Sequence, residues 1–424
     1  MKALLKKIVP QFVISWYHFG LVFLGAVIYR FPGKKLKIIG VTGTNGKSTV
    51  VEMISRILEE SGIKTASQSS VRFRVAGKEW ENKFKMTMPG RFFIQKFLRQ
   101  AVDTNCKYVV LEVTSEGIKQ YRHKFIDFDL AVFTNLAPEH IESHGGFENY
   151  KKAKTKLFKI AKKIHIINLD DESAHHFLKT KSKEKFGFSI LGKKKKGVFN
   201  VFAENIKILS PGLQFSVRKE DFYLPLTGKF NVQNALAAIC VGLALGISLE
   251  GCKSALGKIK AIPGRMEEII SNPFKIVIDY AFTPNALEKV YQSLKPEIKN
   301  KMICVLGAAG GGRDKWKRPV LGQIAGIYCD KIIVTNEDPY DEDPMEIINQ
   351  VSKGAEQRVA KILDRREAIK TALIFAKPND VVVVTGKGCE PWLCVSKGKK
   401  IPWDDRKIVK EEFEKLKTDK FKNE

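Results

Sequence analysis

A glycine-rich stretch near the start of the chain has the residue types and spacing of a phosphate-binding loop. Residues 41–49 read Val-Thr-Gly-Thr-Asn-Gly-Lys-Ser-Thr and lie between a short apolar run and a helical pattern. Backbone N–H groups of such a loop and the N-terminus of the next helix hold phosphate oxygens, while the lysine reaches the β- and γ-phosphates and the serine hydroxyl binds Mg²⁺. Val41 replaces the first glycine of the strict pattern G-x-x-x-x-G-K-S/T, so Gly43 makes the turn. The residues predicted to contact ATP here are Gly43, Thr44, Asn45, Gly46, Lys47, Ser48 and Thr49.

Two further apolar runs end in side chains that suit a metal–nucleotide site. Residues 108–113 form a buried-strand pattern that carries Glu112, and residues 130–135 form another that leads to His140. Ligands of an open α/β sheet bind at the carboxyl ends of its strands, so both side chains should lie near the phosphate loop. A carboxylate and an imidazole beside phosphate oxygens are reasonable metal ligands.

The pattern around these residues predicts an α/β protein with two main domains. Residues 36–40 and 48–60 read as strand and helix, and residues 186–226 read as short strands added in antiparallel fashion to the first sheet. Beyond residue 262, strands at 274–279, 302–306, 331–335 and 380–385 alternate with helical patterns. We therefore expect an apolar N-terminal helix within residues 1–35, a phosphate-loop ATP-binding domain at 36–262, and a Rossmann-like domain at 263–424.

Composition excludes several classes of protein. A hydrophobic share of 44% is that of a globular protein, and 73 Lys and Arg against 46 Asp and Glu give a net charge of +27. The lysines are spread along the chain without interleaved aromatics, so no nucleic-acid partner is expected. The seven cysteines are scattered without C-x-x-C pairs, which argues against a disulfide framework or a zinc site and favours the cytoplasm.

The first forty residues leave three alternatives open. Residues 12–29 are uncharged and largely apolar, with basic residues on both sides, including Lys2, Lys6 and Lys7. The run predicts a helix that lies on the inner membrane face, a helix docked on the next domain, or a true membrane span. No small-residue cleavage site follows, so a cleaved signal peptide is not expected. The predicted location is cytoplasmic, with membrane association through residues 1–35 among the alternatives.

Several blocks of sequence, in order, resemble the Mur ligases, the ATP-dependent amide-forming enzymes of peptidoglycan synthesis. The similarity extends over nearly everything from Leu36 onward and is greatest to members that add a diamino acid to UDP-N-acetylmuramoyl-L-alanyl-D-glutamate. The blocks that carry it lie at residues 43–49, 112–122, 133–158, 167–172, 228–236, 263–267, 279–284, 386–390 and 404–406.

The resemblance implies roles for residues that spacing alone does not single out. It implies ATP and Mg²⁺ as cofactors, a UDP-muramoyl peptide and a diamino acid as substrates, and an acyl-phosphate intermediate. Lys154 falls where the family carries a carbamoylated lysine, whose negative charge helps to hold the metal. The implied catalytic residues are Lys47, His140, Lys154 and Arg265, and the implied metal ligands are Ser48, Glu112, His140 and Lys154. The further ATP contacts are Asn231, Arg265 and Asp279, and the substrate contacts are Thr87, Thr114, Gln120, Arg122, Asp338, Tyr340, Gly386 and Glu390.

Three departures from the family pattern bear on the substrates. Only about 35 residues precede the first strand, where these ligases usually have a UDP-binding domain of ordinary small size. The sequence Glu-Asp-Pro-Tyr at 337–340 replaces Asp-Asn-Pro-Arg, whose guanidinium grips the distal carboxylate of diaminopimelate. Phe282 and Cys389 replace histidines. We therefore favour lysine, or another amine without a distal carboxylate, over diaminopimelate.

Other functions remain as alternatives. A ligase like folylpolyglutamate synthase shares the chemistry and also lacks the N-terminal domain. A non-catalytic, membrane-docked ATP-binding partner of a cell-wall complex would keep the phosphate loop but would not need Lys154 or Arg265. A nucleic-acid ATPase is a third possibility, which predicts salt-dependent DNA binding.

Overall fold

Two sheets of mainly parallel strands, each with helices on both faces, account for most of the chain, which confirms the predicted α/β class. The computed structural model describes residues 11–355 and 359–421. The elements associated with the first sheet are, in chain order, α1 Gln11–Ile28, β1 Lys37–Thr42, α2 Lys47–Glu60, β2 Thr65–Gln68, β3 Arg72–Val75, β4 Lys78–Glu81, α3 Arg91–Asp103, β5 Tyr108–Glu112, α4 Ser115–Lys119, β6 Phe128–Phe133, α5 Ile141–His144, α6 Phe147–Ile160, β7 Ile164–Asn168, α7 Ala174–Leu178, β8 Glu184–Ser189 and β9 Phe199–Phe202.

The strand order of this sheet is β4-β3-β2-β5-β1-β6-β7-β8-β9. Ile38 and Ile39 are both fully buried, on opposite faces, because successive side chains of a strand alternate. Helices α3 and α6 cover the face that carries Ile38, and α2 covers the face that carries Ile39. The parallel register pairs Val41 with Glu112 and Thr42 with Phe133. It therefore brings the carboxyl ends of β5 and β6 to the point where β1 enters the phosphate loop.

Residues 186–226 were predicted to add antiparallel strands to the first sheet, and this prediction of strand pairing is wrong. Strands β8 and β9 extend the first sheet in parallel, and the antiparallel part forms a separate sheet of three strands. The alternation of half-buried side chains is the same for either direction of pairing, so the pattern could not distinguish them. The elements that follow β9 are β10 Glu204–Ile208, β11 Leu213–Val217, β12 Glu220–Leu224, α8 Phe230–Ala244 and α9 Leu249–Gly257.

The second sheet has the order β13-β14-β18-β15-β16-β17, and only β13 is antiparallel to its neighbour. It is built, with its helices and a small hairpin, from β13 Glu267–Ile270, β14 Lys275–Asp279, α10 Pro284–Leu294, β15 Met302–Leu306, α11 Lys317–Tyr328, β16 Lys331–Thr335, α12 Pro344–Ala355, β17 Val359–Ile362, α13 Arg365–Phe375, β18 Val381–Thr385, β19 Trp392–Cys394, β20 Lys400–Pro402 and α14 Asp405–Phe421.

One cysteine pair differs from the expectation of scattered thiols. Cys304 in β15 and Cys329, just after α11, form a disulfide, whereas the other five cysteines are free. The two residues are separated by 25 positions along the chain, so their pairing depends on how α11 packs against the sheet. Spacing alone carries no sign of such a contact.

The N-terminal helix α1 packs on the first domain through one face. The Ser15 hydroxyl is 2.7 Å from the Tyr121 hydroxyl, and the ring of Phe19 contacts those of Tyr121 and Phe125. Docking on the neighbouring domain, one of the three alternatives, is therefore observed. Within the described residues, no helix combines the length and apolar character needed to cross a bilayer. Lys2, Lys6 and Lys7, the basic residues noted before the apolar run, lie outside the described residues.

Candidate active site

The phosphate loop joins β1 to α2 and is held by the residues that follow β6. Asn45 N donates to the Asn135 side-chain oxygen (2.9 Å), and Thr134 Oγ1 donates to Asn45 O (2.7 Å). Gly43 and Gly46 have φ angles of 152° and 79°, which disfavour side chains. A Cβ on Gly43 would also lie only 1.9 Å from Thr134 Oγ1. The glycines are therefore required both by backbone conformation and by close approach.

Lys47, Ser48 and Glu112 meet at the start of α2. Lys47 Nζ donates to Thr44 O (2.8 Å) and lies 3.9 Å from Glu112 Oε1. Ser48 Oγ and Ser70 N both donate to Glu112 Oε2, each at 2.8 Å. Burial lowers the pKa of Lys47, and the charge of Glu112 opposes this effect. The strand register thus places a carboxylate, a hydroxyl and an amine around one point.

Lys154 and His140 line the same cavity from α6 and from the segment before α5. Lys154 Nζ is buried and donates to Gly43 O (2.7 Å), within the phosphate loop. Burial and then the charge of Lys47 hold the pKa of Lys154 well below its ordinary value. Burial, followed by the charges of Arg313 and other cations, lowers the pKa of His140 to about 2. His140 is therefore neutral near physiological pH, and burial disfavours the charged form of Lys154.

The donor set fits Mg²⁺ only in combination with phosphate. No group of three or more His, Cys, Asp or Glu side chains among the described residues could hold a metal ion by itself. Glu112 and Ser48 are in contact, whereas Lys154 contacts the Gly43 carbonyl. Mg²⁺ is commonly held by one or two carboxylates with water and substrate phosphates, so one carboxylate and one hydroxyl beside a phosphate loop suit it.

Two residues of the second domain, Arg265 and Asp279, line the same cavity as the phosphate loop. Arg265 Nη2 donates to Ser70 Oγ (3.1 Å), and its guanidinium lies 4.6 Å from the centre of the Tyr280 ring. Asp279 Oδ2 accepts from Met266 N (2.7 Å). Burial raises the pKa of Asp279 to about 6, although the charge of Arg265 lowers it. The two domains are thus in contact at the nucleotide end of the cavity.

Asn231, in α8, lies beside the phosphate loop. Its Nδ2 donates to Thr227 O (2.7 Å), and its Oδ1 accepts from Asn234 Nδ2 (2.9 Å). A Cβ on Gly46 would lie 2.4 Å from Asn234 Oδ1, so this pair of asparagines packs directly on the loop. Asn234 was not predicted as a site residue, although it lies in the block 228–236 that carries the family resemblance.

A cavity of about 420 Å³ lies between the two domains. The residues predicted to contact the muramoyl substrate line this cavity on the side of the first domain. Three of them also bond within the first domain: Thr114 Oγ1 accepts from Gly117 N (3.0 Å) at the start of α4, and Arg122 Nη2 donates to Gln120 Oε1 (2.7 Å). The predicted residues along the cavity wall are Thr44, Asn45, Gly46, Lys47, Ser48, Thr49, Thr87, Glu112, Thr114, Gln120, Arg122, His140, Lys154, Asn231, Arg265, Asp279 and Glu390.

A smaller cavity adjoins the first and is rich in charged groups. Asp338, Tyr340 and Glu390 line it, while Gly386 packs behind it with φ 104°. A Cβ on Gly386 would lie 2.5 Å from Glu337 Oε2, so the glycine permits close packing of that carboxylate. The smaller cavity shares Lys85, Tyr280 and Glu390 with the larger one, so the two cavities adjoin.

Several residues of the site were not predicted. Lys317 Nζ is 3.0 Å from Glu139 Oε1 across the domain boundary, while Glu139 Oε2 has no hydrogen-bond partner. Burial raises the pKa of Glu139, although the charge of Lys317 lowers it. Lys387 Nζ lies 2.9 Å from Asp338 Oδ1, and Lys85 enters the smaller cavity from the first domain. Only the neighbourhood of His140 could have drawn attention to Glu139, since the other contacts depend on tertiary packing.

Such an arrangement can support transfer of a phosphoryl group to an oxygen and attack of an amine on the product. The phosphate loop, Lys47 and Arg265 place positive charge and N–H donors where charge develops on a phosphoryl group. Acidic side chains at the other end of the site suit an ammonium group. A cavity closed by two domains also keeps water from an activated intermediate.

Family models match most of the chain. The model described as the Mur ligase middle domain matches residues 41–242, and the model described as Mur ligase, glutamate ligase domain, matches residues 264–388. The matched segments contain the phosphate loop, Glu112, Lys154, Arg265 and Asp338. The family that the sequence resembles is therefore confirmed.

Curated relatives agree with the family models. The UDP-N-acetylmuramyl-tripeptide synthetase of Roseiflexus sp. (strain RS-1) is 37% identical over 410 residues, which cover 90% of this chain and 79% of the relative. The UDP-N-acetylmuramoyl-L-alanyl-D-glutamate–2,6-diaminopimelate ligase of Caldanaerobacter subterraneus subsp. tengcongensis is 38% identical over 391 residues, with the same two coverages.

Solved structures show the same fold. A UDP-N-acetylmuramoyl-L-alanyl-D-glutamate–2,6-diaminopimelate ligase has a TM-score of 0.61 at 30% identity, covering 90% of this chain and 79% of its own. The folylpolyglutamate synthase of Mycobacterium tuberculosis complexed with ADP has a TM-score of 0.72 at 18% identity, covering 87% and 91%, and so shows the fold alone. Together, the geometry and the relatives show that the chain belongs to the Mur ligase family of ATP-dependent ligases.

Proposed function

We propose that this ligase adds a diamino acid to UDP-N-acetylmuramoyl-L-alanyl-D-glutamate, with cleavage of ATP to ADP and phosphate. The observation that carries the proposal is a pair of adjoining cavities, of which the larger is lined by the phosphate loop and the smaller by the carboxylates Asp338 and Glu390. The names of the two curated relatives support the muramoyl dipeptide as the acceptor. We assign the phosphate loop and most ATP contacts to residues 36–262, and amine binding, with the ATP contacts Arg265 and Asp279, to residues 263–424.

The reaction that we propose has two steps. A carboxylate oxygen of the substrate attacks the γ-phosphorus of ATP, which releases ADP and forms an acyl phosphate. The amine nitrogen then attacks the acyl carbon, loses a proton, and the tetrahedral intermediate expels inorganic phosphate. Activation is needed because a free carboxylate is a poor electrophile.

The side chains divide this work. Lys47 offsets negative charge on the γ-phosphoryl group, and Arg265 adds a second cation from the other domain. Glu112 and Ser48 would hold Mg²⁺, which offsets the charge of the β- and γ-phosphates when bound. His140, whose pKa is lowered to about 2 by burial and neighbouring cations, remains a neutral donor or acceptor.

We further propose that the amino acid is L-lysine rather than diaminopimelate. The family resemblance places Tyr340 where diaminopimelate-adding members are expected to carry an arginine, and a phenol cannot form a bidentate pair with a distal carboxylate. Burial and the charge of Asp338 raise the pKa of Tyr340, so it stays uncharged. Asp338 and Glu390 favour a distal ammonium group instead.

A panel of amino acids tests this proposal. The purified chain is given ATP, Mg²⁺ and UDP-N-acetylmuramoyl-L-alanyl-D-glutamate, and ADP release is measured with L-lysine, L-ornithine, meso-diaminopimelate or no amine. We expect the largest stimulation with L-lysine. A lack of stimulation by every diamino acid would remove the assignment. Stimulation with a pteroyl glutamate acceptor in place of the muramoyl dipeptide would favour the folylpolyglutamate-synthase-like alternative.

We also propose that the outer face of α1 rests on the anionic inner surface of the membrane, where cytosolic ATP is available. This face is apolar and exposed, with Trp16 73% and Ile28 55% exposed. Lys34 and Lys35 are exposed just beyond the helix and attract anionic headgroups. The side chains that form the face are Val13, Trp16, Tyr17, Leu24, Val27 and Ile28.

Sedimentation with lipid vesicles tests this surface. The full chain should sediment with phosphatidylglycerol vesicles and much less with phosphatidylcholine vesicles. Combining Trp16→Ser with Leu24→Ser should weaken the binding about tenfold or more, because two apolar side chains leave the interface. Ile327→Ser is the matched control, since Ile327 is 72% exposed on α11 of the other domain. Failure of the wild-type chain to sediment with either vesicle would contradict the proposal.

A further inference from the structure

A lysine of the first domain occupies the acidic pocket of the second. Lys85, in the loop after β4, has its Nζ 2.5 Å from Asp338 Oδ2 and also contacts Glu390 Oε2. Its side chain is only 10% exposed. The loop is tied to the second domain at a further point, where Trp392 Nε1 donates to Lys83 O (3.0 Å). The contact therefore belongs to the interface between the two domains.

Two ammonium groups share the two carboxylates of this pocket. Lys387 Nζ lies 2.9 Å from Asp338 Oδ1 and 2.7 Å from Glu390 Oε2, and Lys85 contacts both acids as well. Tyr280 Oη donates to Glu390 Oε1 (2.7 Å). Burial alone would raise the pKa of Glu390, but Lys387 and Lys85 lower it to about 2. Both carboxylates are thus satisfied while Lys85 is in place.

The two ammonium groups differ in how firmly they are built into the pocket. Lys387 is fully buried and follows β18, in the same domain as both carboxylates. Lys85 comes from a loop of the other domain, and the acids would share only Lys387 if this loop withdrew. Each carboxylate would then lose one of its two ammonium partners, while Glu390 keeps the bond from Tyr280 and Asp338 keeps one from Cys394 N (2.8 Å). Loss of a cation beside a largely buried carboxylate is costly, so another ammonium group would be drawn to the vacated position.

We propose that Lys85 occupies the subsite for the distal ammonium of the amino acid, and that the substrate displaces Lys85 when it binds. This inference rests on the proposed function, since it concerns the amine of that reaction. The ε-ammonium of Lys85 is the same chemical group, on the same four-carbon chain, as the distal end of L-lysine. The carboxylates that hold one can therefore hold the other.

The position of Lys85 in its loop links displacement to the rest of the site. Thr87, two residues further on, lines the larger cavity, as do Met86 and Met88. Movement of Lys85 out of the acidic pocket therefore also moves a segment that faces the muramoyl substrate. Competition by Lys85 raises the apparent Kd for the amino acid. The apparent Kd equals the intrinsic Kd divided by the fraction of molecules in which Lys85 has left the pocket.

Binding of L-lysine to the full chain tests the displacement. Calorimetry without nucleotide should show that Lys85→Met lowers the Kd for L-lysine about tenfold, which corresponds to a pocket that Lys85 fills about nine-tenths of the time. Lys85→Gln should have the same effect and guards against a folding defect of one variant. Lys85→Arg keeps a cation in the pocket and should bind L-lysine as weakly as the wild-type chain does.

Two controls make the effect specific. Lys83 is exposed in the same loop, so Lys83→Met should leave the Kd for L-lysine unchanged. Norleucine has the carbon chain of lysine without its ammonium, so its binding should not improve in Lys85→Met. An unchanged or weaker affinity for L-lysine in both uncharged variants would overturn the proposal, as would an equal gain for norleucine.

The outcome is separable from that of the proposed function. If neither the wild-type chain nor the variants bind L-lysine, while another amino acid stimulates ADP release, displacement is overturned and the ligase assignment stands. If Lys85→Met tightens L-lysine binding but no amine stimulates ADP release with the muramoyl dipeptide, the displacement is supported and the assignment of the reaction fails.

Discussion

Replacing Lys47 with methionine should reduce amine-dependent ADP release by about three orders of magnitude. The Lys47 ammonium lies in the phosphate loop, 3.9 Å from Glu112 Oε1, where it would face the γ-phosphoryl group. Removing one donor directed at developing charge in an enclosed site typically costs a factor of 10²–10³, and here a full positive charge is lost as well. The measurement is kcat for ADP release at saturating ATP, muramoyl dipeptide and L-lysine.

Two comparisons separate loss of chemistry from loss of fold. Lys64→Met removes an exposed lysine near the end of α2 and should leave kcat unchanged. The thermal unfolding temperature of Lys47→Met should not fall, because burial of the Lys47 ammonium is itself unfavourable and Glu112 keeps its bonds from Ser48 and Ser70. A kcat within tenfold of the wild-type value would contradict the role of Lys47.

The parts of the site that could be predicted from the sequence are those set by local structure. A glycine loop between a strand and a helix fixes the positions of Lys47 and Ser48 within nine consecutive residues. Glu112 could be added because parallel strands end at one edge of a sheet, and the register with β1 places it there. In each case the geometry follows from a strand and the few residues after it.

The remaining parts depend on contacts between distant elements. Lys85 lies in a short loop without a recognisable motif, and its meeting with Asp338 requires the two domains to close. Strands β2 to β4 were not predicted, since their side chains include charges that tertiary pairing satisfies. Arg74 is nearly fully buried in β3 and pairs with Glu52 and Glu79, both at 2.9 Å. Hydrophobic periodicity cannot reveal a buried charge that is stabilised by partners elsewhere.

The family resemblance singled out Lys154 as a carbamoylated residue, and the surroundings of Lys154 in the structure suit this modification. Lys154 would ordinarily be assigned as one solvated lysine among several on α6. The structure instead buries its amine against Gly43 O, and burial together with Lys47 lowers its pKa well below the ordinary value. An unprotonated amine can add to CO₂, whereas an ammonium cannot. The environment of Lys154 therefore supports the carbamate that the resemblance implies.

Replacing Lys154 with alanine should reduce ADP release by about two to three orders of magnitude, the range typical of losing one charged group from a preorganised site. Addition of the amine to CO₂ forms a C–N bond and releases a proton, which gives a carbamate anion near Glu112 and Lys47. Such an anion would help to hold Mg²⁺, whereas an ammonium would repel it. Mass spectrometry of the intact wild-type chain should show one added CO₂, absent from Lys154→Ala.

Small carboxylates provide the decisive control for this role. Acetate can enter the space that Lys154→Ala leaves and restore a negative charge, so it should raise the kcat of this variant without affecting the wild-type rate. Lys152→Ala changes an exposed residue of the same helix and should keep full activity with or without acetate. Wild-type activity should fall in buffer freed of CO₂ and as pH drops, because protonation of the amine opposes carbamate formation. A kcat of Lys154→Ala equal to the wild-type value without acetate would contradict this role. Full cellular function of Lys154→Ala would favour the non-catalytic, ATP-binding partner of a cell-wall complex.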